Sequence, residues 1–385
     1  MCNFLSLYLR QIRYAMLTKF TTSYFKCFEK DFTLDLSTTN GYTFNPECIK
    51  NGNVNCAIIY GYNGSGKSNL GLAIFDIIEH LTDKNREEHH YKHYINAYND
   101  TDMVDFCYEF LINGLAITYK YSKSDYKHLV YEQLCIDGEE VVSFDRRGNT
   151  IFKVSLKGSE TLNKVITDNQ LSVLKYIKNN TVLEDNAINR AFYAFFDFVE
   201  HMLFFRSLED RTYIGLYNHT KRLTDDIIEK DKVQDFEDFL NEANIKCKLC
   251  VVNVLDKKDL AFDFGKKKIL LTEIISTGTS SLMLFYFWYL QIVNSEVSFV
   301  FIDEFDAFYH HELSRLIIKK LKQSGVQFIV TTHNTSIMSN DLMRPDCYFL
   351  MNKKRIQPLS KCTERELREA HNIEKIYKAG GFNVE

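Results

Sequence analysis

The chain has 385 residues, of which 45% are hydrophobic and 25% charged, and a formal net charge of −4. That is enough apolar chain to bury a substantial core spread over two or three subdomains. It excludes a general basic field, so nucleic-acid binding would need a local patch or a partner subunit. Ten cysteines are scattered without framework spacing, which points to free thiols in a reducing cytoplasm.

Residues 1–15 are moderately apolar, with Arg10 and Arg13 towards their C-terminal side and no small-residue cleavage site after them. They read as an upstream extension, with the natural start at either Met1 or Met16. No window reaches the ~18 apolar residues of a spanning helix, and the best candidate, residues 281–293, reads as a buried core helix.

Strand-like alternation covers residues 17–36, and Asn40-Gly41 marks a turn. A buried strand over 54–60 then runs into Gly61-Tyr62-Asn63-Gly64-Ser65-Gly66-Lys67-Ser68, the pattern G-x-x-x-x-G-K-S. Helical apolar spacing follows over 69–81. Glycines at 61, 64 and 66 let backbone N–H groups curl around an anion at the positive end of the following helix. Lys67 would reach the β and γ phosphates, and the Ser68 hydroxyl would hold Mg²⁺. The candidate nucleotide-binding set here is Gly61, Asn63, Gly64, Ser65, Gly66, Lys67, Ser68 and Asn69.

Residues 104–121 and 129–154 read as hairpins turning at Asn113-Gly114, Asp137-Gly138 and Arg147-Gly148-Asn149. From about 159 the texture becomes helical, over 171–177, 187–205 and 233–243. Strands return over 248–254 and 260–271. Ile274-Ile275-Ser276-Thr277-Gly278-Thr279 opens the aromatic helix, where Ser276 is either a simple N-cap, an anion contact, or both. A strand over 298–302 ends in Asp303-Glu304, and a strand over 326–332 ends in His333. Asp303 would hold Mg²⁺ at the carboxyl end of the sheet, and Glu304 would take a proton from the attacking water.

The order of P-loop, Asp303-Glu304 and Thr332-His333 resembles that of ABC-type ATPases, including recombination, chromosome-maintenance and phage-defence members. The resemblance implies that Ser276, Gly278 and Thr279 form a signature that binds the γ-phosphate of an opposite protomer. It also implies that His333 is a switch histidine acting in catalysis with Glu304. Asp303-Glu304-Phe305-Asp306-Ala307-Phe308-Tyr309-His310 resembles the recombination and overcoming-lysogenization-defect branch. Tyr24-Phe25-Lys26-Cys27-Phe28 resembles that branch's first-strand element, with Lys26 either a phosphate contact or a solvated lysine. Together with Arg344-Pro345-Asp346 and residues 365–372, these segments resemble the AAA_15/AAA_21-like abortive-infection ATPases over nearly the whole chain from Met16.

The expected fold is therefore α/β: a P-loop ABC-type ATPase head with an antiparallel β subdomain and an inserted helical subdomain. The expected division is an N-terminal lobe over 1–158, a helical insertion over 159–245 and a C-terminal lobe over 246–385. The implied activity is hydrolysis of ATP with Mg²⁺. The implied assembly is a homodimer, or a higher even-numbered homo-oligomer, closed through the nucleotide sites. An effector encoded nearby is the implied partner, nucleic acid is left open, and no membrane is involved.

Two departures from the family pattern stand out. No convincing Q-loop glutamine is found, Asn96 and Asn99 being positional candidates only. The sequence also ends about fifty residues after His333, too soon for a Toprim-like nuclease domain. Two other readings compete: a nuclease built on Glu364, Glu366, Glu369, His371 and Asn372, and a DNA-tethering repair ATPase using Lys266, Lys267 and Lys268. Cys247-x-x-Cys250 lacks further ligands for zinc, and His89, His90 and His93 sit in a charged run that reads as solvated.

Overall fold

The computed structural model describes residues 15–84, 88–148, 150–207, 213–216, 222–255, 257–294 and 296–383. The expected upstream extension lies outside them except for Ala15, which opens the first strand. Residues 85–87 of the charged run and Asn149 of the third expected turn also lie outside.

Strict alternation builds the first layer. In Val104–Ile112, the side chains of Phe106, Tyr108 and Phe110 are buried while those of Asp105, Cys107 and Glu109 face outward, because successive residues of a strand point to opposite faces. Two of the three predicted turns form two-residue hairpin loops with positive φ at each central residue, 52° and 82° at Asn113-Gly114 and 51° and 83° at Asp137-Gly138. The result is a seven-stranded antiparallel sheet ordered Lys153–Val154, Glu139–Asp145, Leu129–Ile136, Leu115–Lys123, Val104–Ile112, Ala15–Ser23, Phe32–Asp35. The strand expected over 17–36 is interrupted. Residues 24–31 form a loop whose Tyr24, Lys26 and Asp31 take positive φ, so the family-like segment at 24–28 is a turn and not strand.

The second sheet also has seven strands, ordered Tyr213–Gly215, Met202–Arg206, Phe299–Asp303, Gln327–Thr332, Cys56–Tyr60, Tyr348–Met351, Ile356–Pro358. Met202–Arg206 through Tyr348–Met351 run parallel, and the two edges are closed by antiparallel hairpins. Parallel strands covered on both faces read as continuous apolar runs, as Cys56–Tyr60 and Phe299–Asp303 do.

Met202–Arg206 corrects an expectation. The helix predicted over 187–205 stops at Glu200, and His201 takes up the final helical carbonyls. Ser298 then donates its N–H to the His201 carbonyl, and Met202–Arg206 pairs residue for residue with Phe299–Asp303. A short apolar run fits either period, and here the open edge of the sheet decides. The segment 159–245 thus supplies strands to the central sheet as well as the helices Val173–Asn180, Ala187–Glu200, Leu223–Glu229 and Val233–Glu242.

The P-loop helix lies between the two sheets. It runs from Lys67 to Ile74, breaks at Phe75-Asp76 and resumes as Ile77–Leu81, where a single helix over 69–81 was expected. At the break, Tyr108 donates its hydroxyl to the Ala73 carbonyl, and Asp76 accepts from Tyr94, Tyr121 and Lys123. Gly71 permits the close approach to the central sheet, since a Cβ there would stand 2.6 Å from the Phe204 ring and 2.8 Å from the Phe301 ring. On the far face of that sheet, Trp288 of the helix Thr277–Val293 stacks on Phe205.

Gln327 joins the two sheets. Its carboxamide accepts from the Leu17 N–H and donates to the Leu17 and Val54 carbonyls, at 2.9, 2.8 and 3.0 Å. The strand predicted over 260–271 is instead Lys257–Asp263 and Lys268–Leu270, which with Leu249–Val254 make a three-stranded meander.

Candidate functional site

The P-loop leaves the strand Cys56–Tyr60 at the carboxyl edge of the central sheet. Gly61 has no room for a side chain: a Cβ would meet Ser65 Oγ at 2.5 Å and the Met351 carbonyl at 2.8 Å. Gly66 caps the helix with φ 101°, and a Cβ there would meet Cys27 Sγ at 2.8 Å, so the 24–28 turn packs directly on the loop. Asn69 reinforces that contact by donating to Cys27 Sγ at 3.1 Å. Ser65 is buried, Ser68 is half-buried, and Asn63 and Gly64 are exposed.

Asp303 is fully buried and both of its carboxylate oxygens are engaged. Oδ1 accepts from the Thr331 hydroxyl at 2.8 Å and Oδ2 from Arg206 Nε at 3.1 Å. Glu304 follows in the left-handed region, φ 47°, with its N–H donated to Thr331 Oγ1 at 2.8 Å. Two residues on, Asp306 accepts from the Thr332 hydroxyl at 2.7 Å, and burial pushes its carboxyl above the usual range. The adjacent strand therefore organises the acidic segment through two successive threonine hydroxyls. Sequence reasoning missed Arg206, because the run Met202–Phe205 ahead of it was read as the tail of a helix.

Lys67 and His333 meet across the loop. The Lys67 ammonium donates to the Gly61 carbonyl at 2.8 Å and lies 2.9 Å from His333 Nε2. Burial lowers the lysine's pKa, opposed by the charges of Asp303 and Glu304. Burial, and then Lys67 itself, lowers that of His333. Lys67, Asp303, Glu304 and His333 thus converge at one edge of the sheet, where sheets of parallel strands bind ligands.

Ser276 stands apart from this group. It is the N-cap of Thr277–Val293, accepting from the Thr279 N–H at 3.2 Å, and its hydroxyl lies 2.9 Å from that of Thr279. Gly278 faces the Phe308 carbonyl, where a Cβ would sit at 3.4 Å. Among the described residues no hydrogen bond ties Ser276, Gly278 or Thr279 to the P-loop.

The residues present fit a magnesium nucleotide. The loop closes only because a Cβ is missing at 61 and 66, where it would clash with Ser65 and Met351 or with Cys27, and the helix N-terminus at Lys67 favours an anion. The Ser68 hydroxyl and Asp303 carboxylate are the hard oxygen donors Mg²⁺ requires.

The other candidates find structural roles. Asn96 is buried and pins the 24–28 turn by donating to the Phe28 carbonyl, while Asn99 donates to Asn96. Lys26 donates to the Lys92 carbonyl. Arg344 and Asp346 form a buried bidentate pair that also receives the Asn40 N–H. Residues 364–372 are not helical, so the shared helix face behind the nuclease reading does not exist, and Asn372 instead caps Ile373–Lys378. No cluster of three metal-ligating side chains occurs among the described residues. Lys266 and Lys267 lie in the exposed turn of the meander. No helix is long and apolar enough to cross a membrane among the described residues.

The profile of the AAA_21 family, described as "AAA domain, putative AbiEii toxin, Type IV TA system", matches residues 56–339. No curated protein sequence matches the chain. Among solved structures the chain is similar to the SMC head domain from Thermotoga maritima, at 15% identity and a TM-score of 0.45, covering 89% of this chain and 98% of that one. It is also similar to an Smc head domain with an extended coiled coil bound to the C-terminal domain of ScpA, derived from Pyrococcus furiosus, at 12% identity, a TM-score of 0.48, and coverage of 90% and 97%. The P-loop, the acidic strand end and His333 all fall within the matched residues, and the chain belongs to the AAA_21 family.

Proposed function

We propose that the chain binds and hydrolyses ATP with Mg²⁺ at a site completed by a second copy of itself. Closure of the pair is the output signal. The carrying observation is the split between two groups of residues. Lys67, Asp303, Glu304 and His333 gather on one edge of the sheet, while Ser276, Gly278 and Thr279 open another helix with no hydrogen bond to that group among the described residues.

In this reading the P-loop amides and Lys67 would hold the phosphates, and Ser68 and Asp303 would hold Mg²⁺, whose charge would offset that of the transferred phosphoryl group. Glu304 accepts a proton from the attacking water, and His333 leaves Lys67 to face the γ-phosphate. Ser276 and Gly278 reach the phosphate of the partner copy. Hydrolysis reopens the pair.

We extend this reading to a regulatory ATPase of a bacterial abortive-infection system that controls a separate effector; the family description itself names a putative AbiEii toxin of a type IV toxin–antitoxin system. Glu304→Gln tests the core of the reading. The variant should bind ATP, lose turnover and accumulate as a dimer in size-exclusion chromatography with light scattering. Unchanged turnover would remove Glu304 from the mechanism, and a monomer with bound ATP would remove the switch.

A further inference from the structure

Asp303 reaches the carboxyl edge of the sheet with its charge already answered. Arg206 and Asp303 are register partners at the ends of two parallel strands, and the guanidinium Nε sits 3.1 Å from Oδ2. Oδ1 is taken by Thr331. Lys67, which also feels the Asp303 charge, is committed to the Gly61 carbonyl and to His333.

A carboxylate removed from water needs a counter-charge, and one hydroxyl does not supply it. The Arg206 side chain, by contrast, is about a quarter exposed, so its charged end can turn towards solvent without being stranded in the core.

We propose that Arg206 is a positioning residue for the magnesium-binding carboxylate. It occupies Oδ2 of Asp303 and releases that oxygen when Mg²⁺ arrives. This rests on the reading of Asp303 as a magnesium ligand. An ordinary structural ion pair closing the sheet edge would have the same geometry, but it would be indifferent to magnesium.

The test uses the full chain with Arg206→Gln and Arg206→Lys. One readout is thermal stability without nucleotide, in chelator and in millimolar Mg²⁺. The other is the Mg²⁺ concentration that half-saturates binding of a fluorescent ATP analogue. Arg206→Gln should melt below wild type in chelator and recover much of the deficit in Mg²⁺. Its half-saturating Mg²⁺ should fall about tenfold, which corresponds to about 1.4 kcal/mol.

Arg206→Lys, whose ammonium holds the carboxylate less well, should fall between the two, and this graded order serves if the glutamine variant does not fold. Equal melting deficits with and without Mg²⁺, together with unchanged half-saturation in both variants, overturn the proposal. Failure of wild type itself to bind nucleotide in a Mg²⁺-dependent way overturns instead the ATPase reading on which it rests.

Discussion

The ammonium of Lys67 lies 2.9 Å from Nε2 of His333, so two residues proposed to serve one phosphate touch each other. The contact requires an imidazole nitrogen that accepts, hence a neutral ring.

His333 should accordingly titrate below the ordinary histidine value, held down by burial and by Lys67. A group with a depressed folded pKa binds fewer protons folded than unfolded just beneath pH ~6.5, so acidification through that window destabilises the nucleotide-free protein, and above it the effect vanishes. Lys67→Met should move the His333 midpoint up. Imidazole NMR of both proteins against pH reads this directly, and an unmoved midpoint would mean that the ammonium does not govern the ring.

At Gly66 the backbone has φ 101° and the nearest obstacle is Cys27. Gly66→Ala combines strain of roughly 1–3 kcal/mol with a steric conflict against the 24–28 turn. It should lower stability in urea titration and abolish nucleotide binding. Cys27→Ala in the same chain should return part of the stability while leaving binding defective, because the φ strain persists.

Asp76 and Lys123 form an ion pair with no solvent exposure, 2.7 Å apart, and Asp76 also accepts from Tyr94 and Tyr121. Lys123→Met leaves a buried carboxylate short of its cation and should cost about 3–5 kcal/mol. Adding Asp76→Asn should recover part of that loss. Denaturant midpoints for the two single variants and the double variant test the coupling, and simple additivity would argue against it.

Ser276 caps its helix, so Ser276→Ala should cost about 1 kcal/mol whatever else it does. Ser276→Asn retains a capping oxygen and should melt close to wild type. If the hydroxyl also serves a partner's phosphate, the asparagine variant should still lose ATP-dependent dimerisation, measured by light scattering on the Glu304→Gln background. Normal dimerisation there would confine Ser276 to capping.

The P-loop strand, the acidic strand and the hairpins could be read in the sequence because each pairs a clear period with turn chemistry: glycines where the backbone must curl, Asn-Gly and Asp-Gly where strands reverse. The carboxyl edge could be read because apolar runs end in chemically distinctive residues, Gly61, Asp303 and His333. Met202–Arg206 could not. Its apolar run continues a helical one, and only the open side of Phe299–Asp303 makes it a strand, which brings Arg206 into the site. The interruption at Asp76 was equally hidden, since its partners Tyr94, Tyr121 and Lys123 come from segments distant in sequence. The face imagined for Glu366 and Glu369 assumed a helix that does not form.

Gln327 gives the strand that leads to His333 an unusual mechanical character. Its three side-chain hydrogen bonds anchor the amino end of Gln327–Thr332 to both the antiparallel sheet and Val54, just ahead of the P-loop strand, while the far end leads to the histidine that touches Lys67. Six residues of strand span roughly 20 Å. That segment is a strut pinned at one end to the outer layer and bearing at the other on the phosphate site, so the two layers share a member that neither can tilt alone.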